Sequence, residues 1–298
     1  MNSATIARLG ICLILLISFS FVSGQEIVQK SLKVDGKSVS YQVLQPAGDI
    51  SGILLLLPGK GENPKAVFKK TSLPEKLSGK GYMTIVPNLK YALFADELIR
   101  KQLEEILKAE TEGRPTAGVA IGGFSAGGAV ALSYAEYRIA QGSTNIRSVF
   151  VIDPPLDLQR LYATSRKTRR FNCPSVASEG QQTIDYLDKA LGGSPDDQYN
   201  NYVTSSPYMA SEADGGNAKW LKQVPVRLYT EPDIEFVKER HCVEMEPQDL
   251  NSSDLERLYK HLKKSGNDHC ELVTTKGRGY HTWNIADADE LSAWIMKF

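Results

Sequence analysis

Hydrophobic and polar positions alternate from Glu26 to Gln45, as in Ser38-Val-Ser-Tyr-Gln-Val-Leu44, and Asp35-Gly36 separates two such runs. Alternation puts every second side chain on one face of a strand, and Asp-Gly supplies the residues a tight hairpin turn demands. Two antiparallel strands are predicted there. The pattern then changes to unbroken apolar runs, the first being Gly52-Ile-Leu-Leu-Leu-Leu-Pro58, which suits a strand covered on both faces in a parallel sheet. A loop of glycine and charged residues ends it. Beyond that loop a buried strand followed by an amphipathic helix recurs: Tyr82 to Pro87 before Phe94 to Ala109, then Ala117 to Gly122 before Ala126 to Ala140. Further strands are predicted over Ser148–Ile152, Val224–Tyr229 and Cys270–Thr275, with helices over Ser253–Lys264 and Asp287–Phe298. The reading is an α/β fold with about eight strands, mostly parallel, and helices on both faces.

Residues 154–223 are too many for a connection between two strands, since most loops run about 4–6 residues. Gln181 to Leu191 has helical spacing and Gly192-Gly-Ser-Pro-Asp196 breaks it, so a partly helical cap is expected on a single domain spanning 25–298. Arg166-Lys-Thr-Arg-Arg170 within it reads as a solvated face, with anion binding as the alternative.

The start of the chain follows a different logic. Arg8 precedes the apolar run Ile11–Val22, and Val22-Ser23-Gly24 places small residues where a signal peptidase cuts, so residues 1–24 are expected to be a cleaved signal peptide. The run is shorter than the roughly 20 residues that span a bilayer. A secreted or periplasmic protein without a stable membrane anchor follows. Export would allow disulfides among Cys173, Cys242 and Cys270, whose pairing the sequence leaves open. No Cys/His spacing suited to zinc occurs, so no metal is expected. Lys and Arg number 35, as do Asp and Glu, and this balance offers no overall field to gather nucleic acid. A small-molecule substrate fits better; oligomeric state is not legible.

The chemistry concentrates at Gly123-Phe-Ser-Ala-Gly127, between a buried strand and a helix. A serine on so sharp a turn exposes its oxygen above the sheet, and small neighbours permit the strained backbone. Ser125 is the predicted nucleophile. The Ala126 N–H, at the helix start, can donate to a developing oxyanion. Pro58-Gly-Lys-Gly61 follows the first central strand and offers the Lys60 N–H as second donor, although the same residues would also make a plain turn. Ser125 needs a base. His281, in the loop Lys276-Gly-Arg-Gly-Tyr-His281 between the last strand and the closing helix, is preferred over His241, His261 and His269. For the acid that orients it, Asp233 in Thr230-Glu-Pro-Asp-Ile-Glu235 is favoured, with Glu231 and Asp153 as alternatives. Tyr91, Phe94, Tyr162 and Trp283 are candidates to line a pocket or to serve as ordinary packing.

This arrangement, an elbow Gly-Phe-Ser-Ala-Gly followed by an acidic turn and a late histidine, resembles the α/β-hydrolase superfamily over nearly the whole mature chain. Tyr229-Thr-Glu-Pro-Asp-Ile and Gly279-Tyr-His-Thr-Trp-Asn also resemble secreted bacterial hydrolases of that superfamily. The resemblance implies a cofactor-free serine hydrolase with a Ser-His-acid triad, acting on a carboxylic ester through an acyl-enzyme. Two alternatives stay open: an exopeptidase or amidase whose Glu231 or Glu235 binds a substrate amine, and a non-catalytic binding protein on the same scaffold.

Overall fold

The computed structural model describes residues 26–89, 91–112, 118–241 and 245–298. The expected hairpin is present: β1 (Ile27–Val34) and β2 (Lys37–Leu44) pair antiparallel from Ile27↔Leu44 to Val34↔Lys37. Its turn is Asp35-Gly36, with φ of 48° and 73°, the pair of left-handed residues a two-residue hairpin loop needs. Then come β3 (Gly52–Leu57), β4 (Tyr82–Pro87), β5 (Val119–Phe124), β6 (Ile146–Ile152), β7 (Val226–Thr230) and β8 (Cys270–Thr274). They form an eight-stranded sheet in the order β1-β2-β4-β3-β5-β6-β7-β8. β2 meets β4 antiparallel, and every pairing from β4 to β8 is parallel.

The helices described are α1 (Pro64–Lys70), α2 (Leu73–Ser78), α3 (Glu97–Thr111), α4 (Ala126–Ala140), α5 (Leu158–Thr168), α6 (Pro174–Leu191), α7 (Tyr199–Ser205), α8 (Ile234–His241), α9 (Asn251–Lys264) and α10 (Ala288–Ile295). Side chains of β3 show why the strand is apolar throughout: Ile53, Leu55 and Leu57 enter one core, while Leu54 and Leu56 enter another on the opposite face. Residues of α3, α4 and α9 close the first core, and those of α1, α2 and α10 the second. α3 starts three residues later than its apolar spacing suggests, because Asp96 caps it by accepting from the Ile99 N–H at 2.8 Å. Its buried residues, Ile99, Gln102, Leu103, Ile106, Leu107 and Glu110, recur at helical spacing.

Segment 154–223 carries α5, α6, α7 and a 3₁₀ helix over Gly216–Gln223. α6 stops at Gly192, whose φ of 86° is the left-handed C-terminal cap. This segment has its own apolar cluster, in which Leu158, Tyr162, Ile184, Leu187 and Tyr202 pack with Leu93, Phe94 and Ala126. The insertion therefore covers the start of α4. Its root is held by Asp254 of α9, which accepts from the Leu156 and Asp157 N–H groups at 2.9 and 3.1 Å and from the Arg160 guanidinium. Burial, reinforced by the Asp254 charge, raises the pKa of Asp157. Residues 1–24 and Cys242 lie outside the described residues. Among the described residues, no helix is long and apolar enough to cross a membrane.

Candidate active site

Ser125 joins β5 to α4 with φ 52° and ψ −127°, a conformation L-residues avoid. The glycines on either side make it possible. A Cβ on Gly123 would lie 2.6 Å from the Gly127 carbonyl, and one on Gly127 would collide with the carbonyl oxygens of Leu57 and Pro58. The turn therefore closes only with glycine at both places, and it brings the first turn of α4 against the end of β3. The Ser125 N–H is held by the Ile152 carbonyl at 2.8 Å.

Among the described residues, Asp35, Ser125, Asp153 and His281 are the non-glycine positions of positive φ. Asp35 belongs to the hairpin. The other three meet: His281 Nε2 lies 2.9 Å from Ser125 Oγ, and His281 Nδ1 lies 2.6 Å from Asp153 Oδ2. Strained backbone at three converging side chains is what sites held by their surroundings show. Asp153 is buried at 5% side-chain exposure, whereas His281 keeps 32%. Its second oxygen accepts from Thr230 Oγ1 at 2.7 Å, and its carbonyl accepts from Asn251 Nδ2 at 3.1 Å. An ionised carboxylate only accepts, so the Nδ1–H of a neutral His281 donates to Asp153 and Nε2 is left to accept from the serine hydroxyl.

Of the three candidate acids, it is Asp153 and not the favoured Asp233 that lies against His281. Asp233 stands immediately before α8 and its Oδ1 accepts from the Phe236 N–H at 2.9 Å, so its carboxylate is spent as a helix cap. Glu231 is also occupied elsewhere: it accepts from Thr275 Oγ1 at 2.8 Å, from the Arg278 N–H at 3.0 and 3.1 Å and from the Gly279 N–H at 2.9 Å. It pins the loop that delivers His281. Burial alone would raise its pKa, but these donors outweigh that and hold it below the usual carboxylate value.

Gly59-Lys60-Gly61-Glu62 forms a tight turn after β3, with the Glu62 N–H donating to the Gly59 carbonyl at 3.1 Å and Gly61 at φ 75°. Gly59, Lys60 and Gly61 face Ala126 and Gly127 across a cavity of about 30 Å³, which Tyr91 also lines. Ala126 opens α4, where the first N–H groups have no preceding helical turn to donate to. The cavity volume is two to three times the roughly 10–15 Å³ a water needs, so it admits an oxygen-sized group.

The other candidates fall into place as packing. Phe94 and Tyr162 are buried in the cap cluster, and Trp283 in the core beneath His281, where its ring centroid is 5.3 Å from Phe124. His261 lies against Tyr208 and His269 against Phe298, and His241 closes α8. Cys173 and Cys270 are buried free thiols. Burial pushes the Cys270 thiol up to about 12.

No protein-family model matches the chain, and neither does any curated protein. Solved structures do match. Carboxyl esterase 2 from the mycorrhizal fungus Tuber melanosporum superimposes with a TM-score of 0.59 at 16% identity, over 93% of this chain and 87% of that one. A thermostable esterase from Pseudomonas putida ECU1011 gives 0.59 at 15% identity, over 92% and 81%. The acylaminoacyl peptidase of Pyrococcus horikoshii gives 0.57 at 16% identity, over 88% of this chain and 38% of that larger one. With this sheet order, this elbow and these neighbours, the chain has the α/β-hydrolase fold.

Proposed function

We propose that the protein is a serine hydrolase that cleaves a carboxylic ester through an acyl-enzyme, with Ser125, His281 and Asp153 as its triad. The observation that carries the reading is the continuous relay from Ser125 Oγ through His281 to Asp153, at 2.9 and 2.6 Å. His281 Nε2 takes the serine proton as Oγ attacks the ester carbonyl carbon, while Asp153 holds the ring and stabilises the imidazolium. Negative charge developing on the carbonyl oxygen is met by the Lys60 N–H in the turn after β3 and by the Ala126 N–H at the start of α4. The imidazolium then protonates the departing alkoxide, and water, deprotonated by the same histidine, releases the acyl group as an acid. The chain's own groups perform each of these steps.

An ester is favoured over the terminus of a peptide because the acids that would anchor a substrate amine are taken. Glu231 is saturated by the His281 loop, and Glu235 is exposed on α8, beside Lys238. The structural neighbours include esterases and an acylaminoacyl peptidase, so the choice rests on these two side chains.

The test is fluorophosphonate labelling of wild type, Ser125→Ala and His281→Ala, followed by turnover of short- and long-chain p-nitrophenyl esters. Labelling and turnover confined to wild type support the reading. A folded wild type that neither labels nor turns over an ester rules it out and favours a binding role.

A further inference from the structure

Glu62 ends the turn that carries the Lys60 N–H, and its side chain is only 8% exposed although Gly61 and Asn63 on either side face solvent. A carboxylate withdrawn from water is costly unless donors meet it. Here donors come from three separate parts of the chain. The Gly59 N–H lies 2.9 Å from Oε2, Trp283 Nε1–H lies 3.2 and 3.1 Å from the two oxygens, and Lys70 Nζ of α1 lies 2.7 Å from Oε1. Gly59 directly precedes Lys60, and Trp283 follows His281 by two positions. A single side chain therefore joins the turn that offers an oxyanion donor to the loop that offers the base. Phe124, next to the nucleophile, fills the space between them: its ring centroid is 4.8 Å from that of His281, and a Cβ on Gly59 would lie 2.7 Å from its ring.

We propose that Glu62 is a positioning residue that sets the Lys60 N–H against Ser125 and His281 so that both act on one carbonyl group. This rests on the serine hydrolase reading above. Glu62 touches no reacting atom; it acts through Gly59 and Trp283. A turn with two glycines has little stiffness of its own, so without the carboxylate the donor is no longer held in one place. Displacement of a catalytic group by about 1 Å can cost on the order of 100-fold in rate. The loss should fall on kcat rather than KM, because the donor bonds the oxyanion more strongly than the ground-state carbonyl.

The experiment compares wild type, Glu62→Ala and Glu62→Gln in p-nitrophenyl ester turnover and in inhibition by a trifluoromethyl ketone, whose adduct with a serine places an oxyanion in the same spot. Circular dichroism establishes folding at the assay temperature. Glu62→Ala is expected to lower kcat by about 10- to 100-fold with little change in KM, and to weaken the ketone by a similar factor. Glu62→Gln keeps one acceptor oxygen and should retain more of the rate, with the same split. It also serves if the alanine variant does not fold. A folded variant with wild-type kcat overturns the proposal, as does a loss confined to KM or a fall in kcat without weaker ketone inhibition. A wild type that neither labels nor turns over would instead overturn the hydrolase reading, before any Glu62 variant is measured.

Discussion

Asp153 reaches His281 across 128 positions of sequence, from the end of β6, the strand beside the one that carries Ser125. The contact depends on a left-handed backbone at both ends, φ 48° and 51°, and on Thr230 Oγ1 and Asn251 Nδ2 holding the acid from β7 and α9. Asn at 153 would keep the shape but present an amide to Nδ1, favouring the wrong ring tautomer. Asp153→Asn should therefore lower kcat for an ester by up to about 10⁴-fold with the fold intact. Asp233→Asn should leave turnover near wild type and cost about 1 kcal/mol or less through the α8 cap. Steady-state kinetics with urea unfolding of both variants checks this, and a reversed order of activity would return the role to Asp233.

Why the sequence led to Asp233 is instructive. Strand runs, the elbow and the late histidine are local patterns, and the sheet follows them nearly residue for residue; α4 begins and ends where its spacing predicts. Three carboxylates lie just past β6 and β7, however, and which one faces a histidine is decided by a positive φ and by distant hydrogen bonds that leave no periodic trace. Pro154 and Pro155 follow Asp153 directly and restrict the backbone of the turn after β6, while Thr230 and Asn251 hold Asp153 itself. α1 and α2 were legible in principle: Asn63 accepts from the Ala66 N–H at 3.0 Å with Pro64 following it, and Pro74 sits at the start of α2. These are helix-start signals, masked by the surrounding lysines and glycines. Glu62 left no signal, because its partners lie 3, 8 and 221 positions away.

Gly127 should be the least replaceable residue of the elbow. A methyl group there meets the backbone oxygens of Leu57 and Pro58, which cannot rotate away, whereas on Gly128 it would meet the Gly123 oxygen at 3.0 Å and the Pro154 ring at 3.1 Å. Gly127→Ala should cost about 1–3 kcal/mol, the range for overpacking, and displace the Gly59–Glu62 turn. Gly128→Ala should cost less. Urea unfolding ranks the two, and equal costs would contradict the steric account.

Glu231 should link the His281 loop to pH. Its folded pKa lies below the ordinary 4.5, so its contribution is complete above that value and is lost as pH falls through the folded one. Glu231→Gln keeps one acceptor but not the charge that binds the Thr275 hydroxyl and the N–H groups of Arg278 and Gly279. Wild type should exceed the variant by about 1.5–3 kcal/mol near neutrality, with the gap narrowing as pH falls through the lowered folded pKa. Denaturant unfolding across that range measures it. A gap independent of pH would mean that the charge contributes nothing.

Glu136 should have the opposite sign. It is fully buried on α4, both carboxylate oxygens lack a partner among the described residues, and burial raises its pKa well above 4.5. The folded protein therefore keeps a proton that the unfolded chain releases above 4.5, so stability declines as pH rises, by at most about 1.4 kcal/mol per unit until the folded pKa is reached. Gln has nearly the same shape and carries no charge at any pH. Glu136→Gln should match wild type near pH 4.5 and become more stable than it as pH rises toward the upper end of the range, the gap growing until the folded pKa is reached. Paired urea titrations at both ends test the sign. A variant less stable than wild type at the upper end would mean that the carboxylate is ionised in the folded state and that a partner stabilises it there.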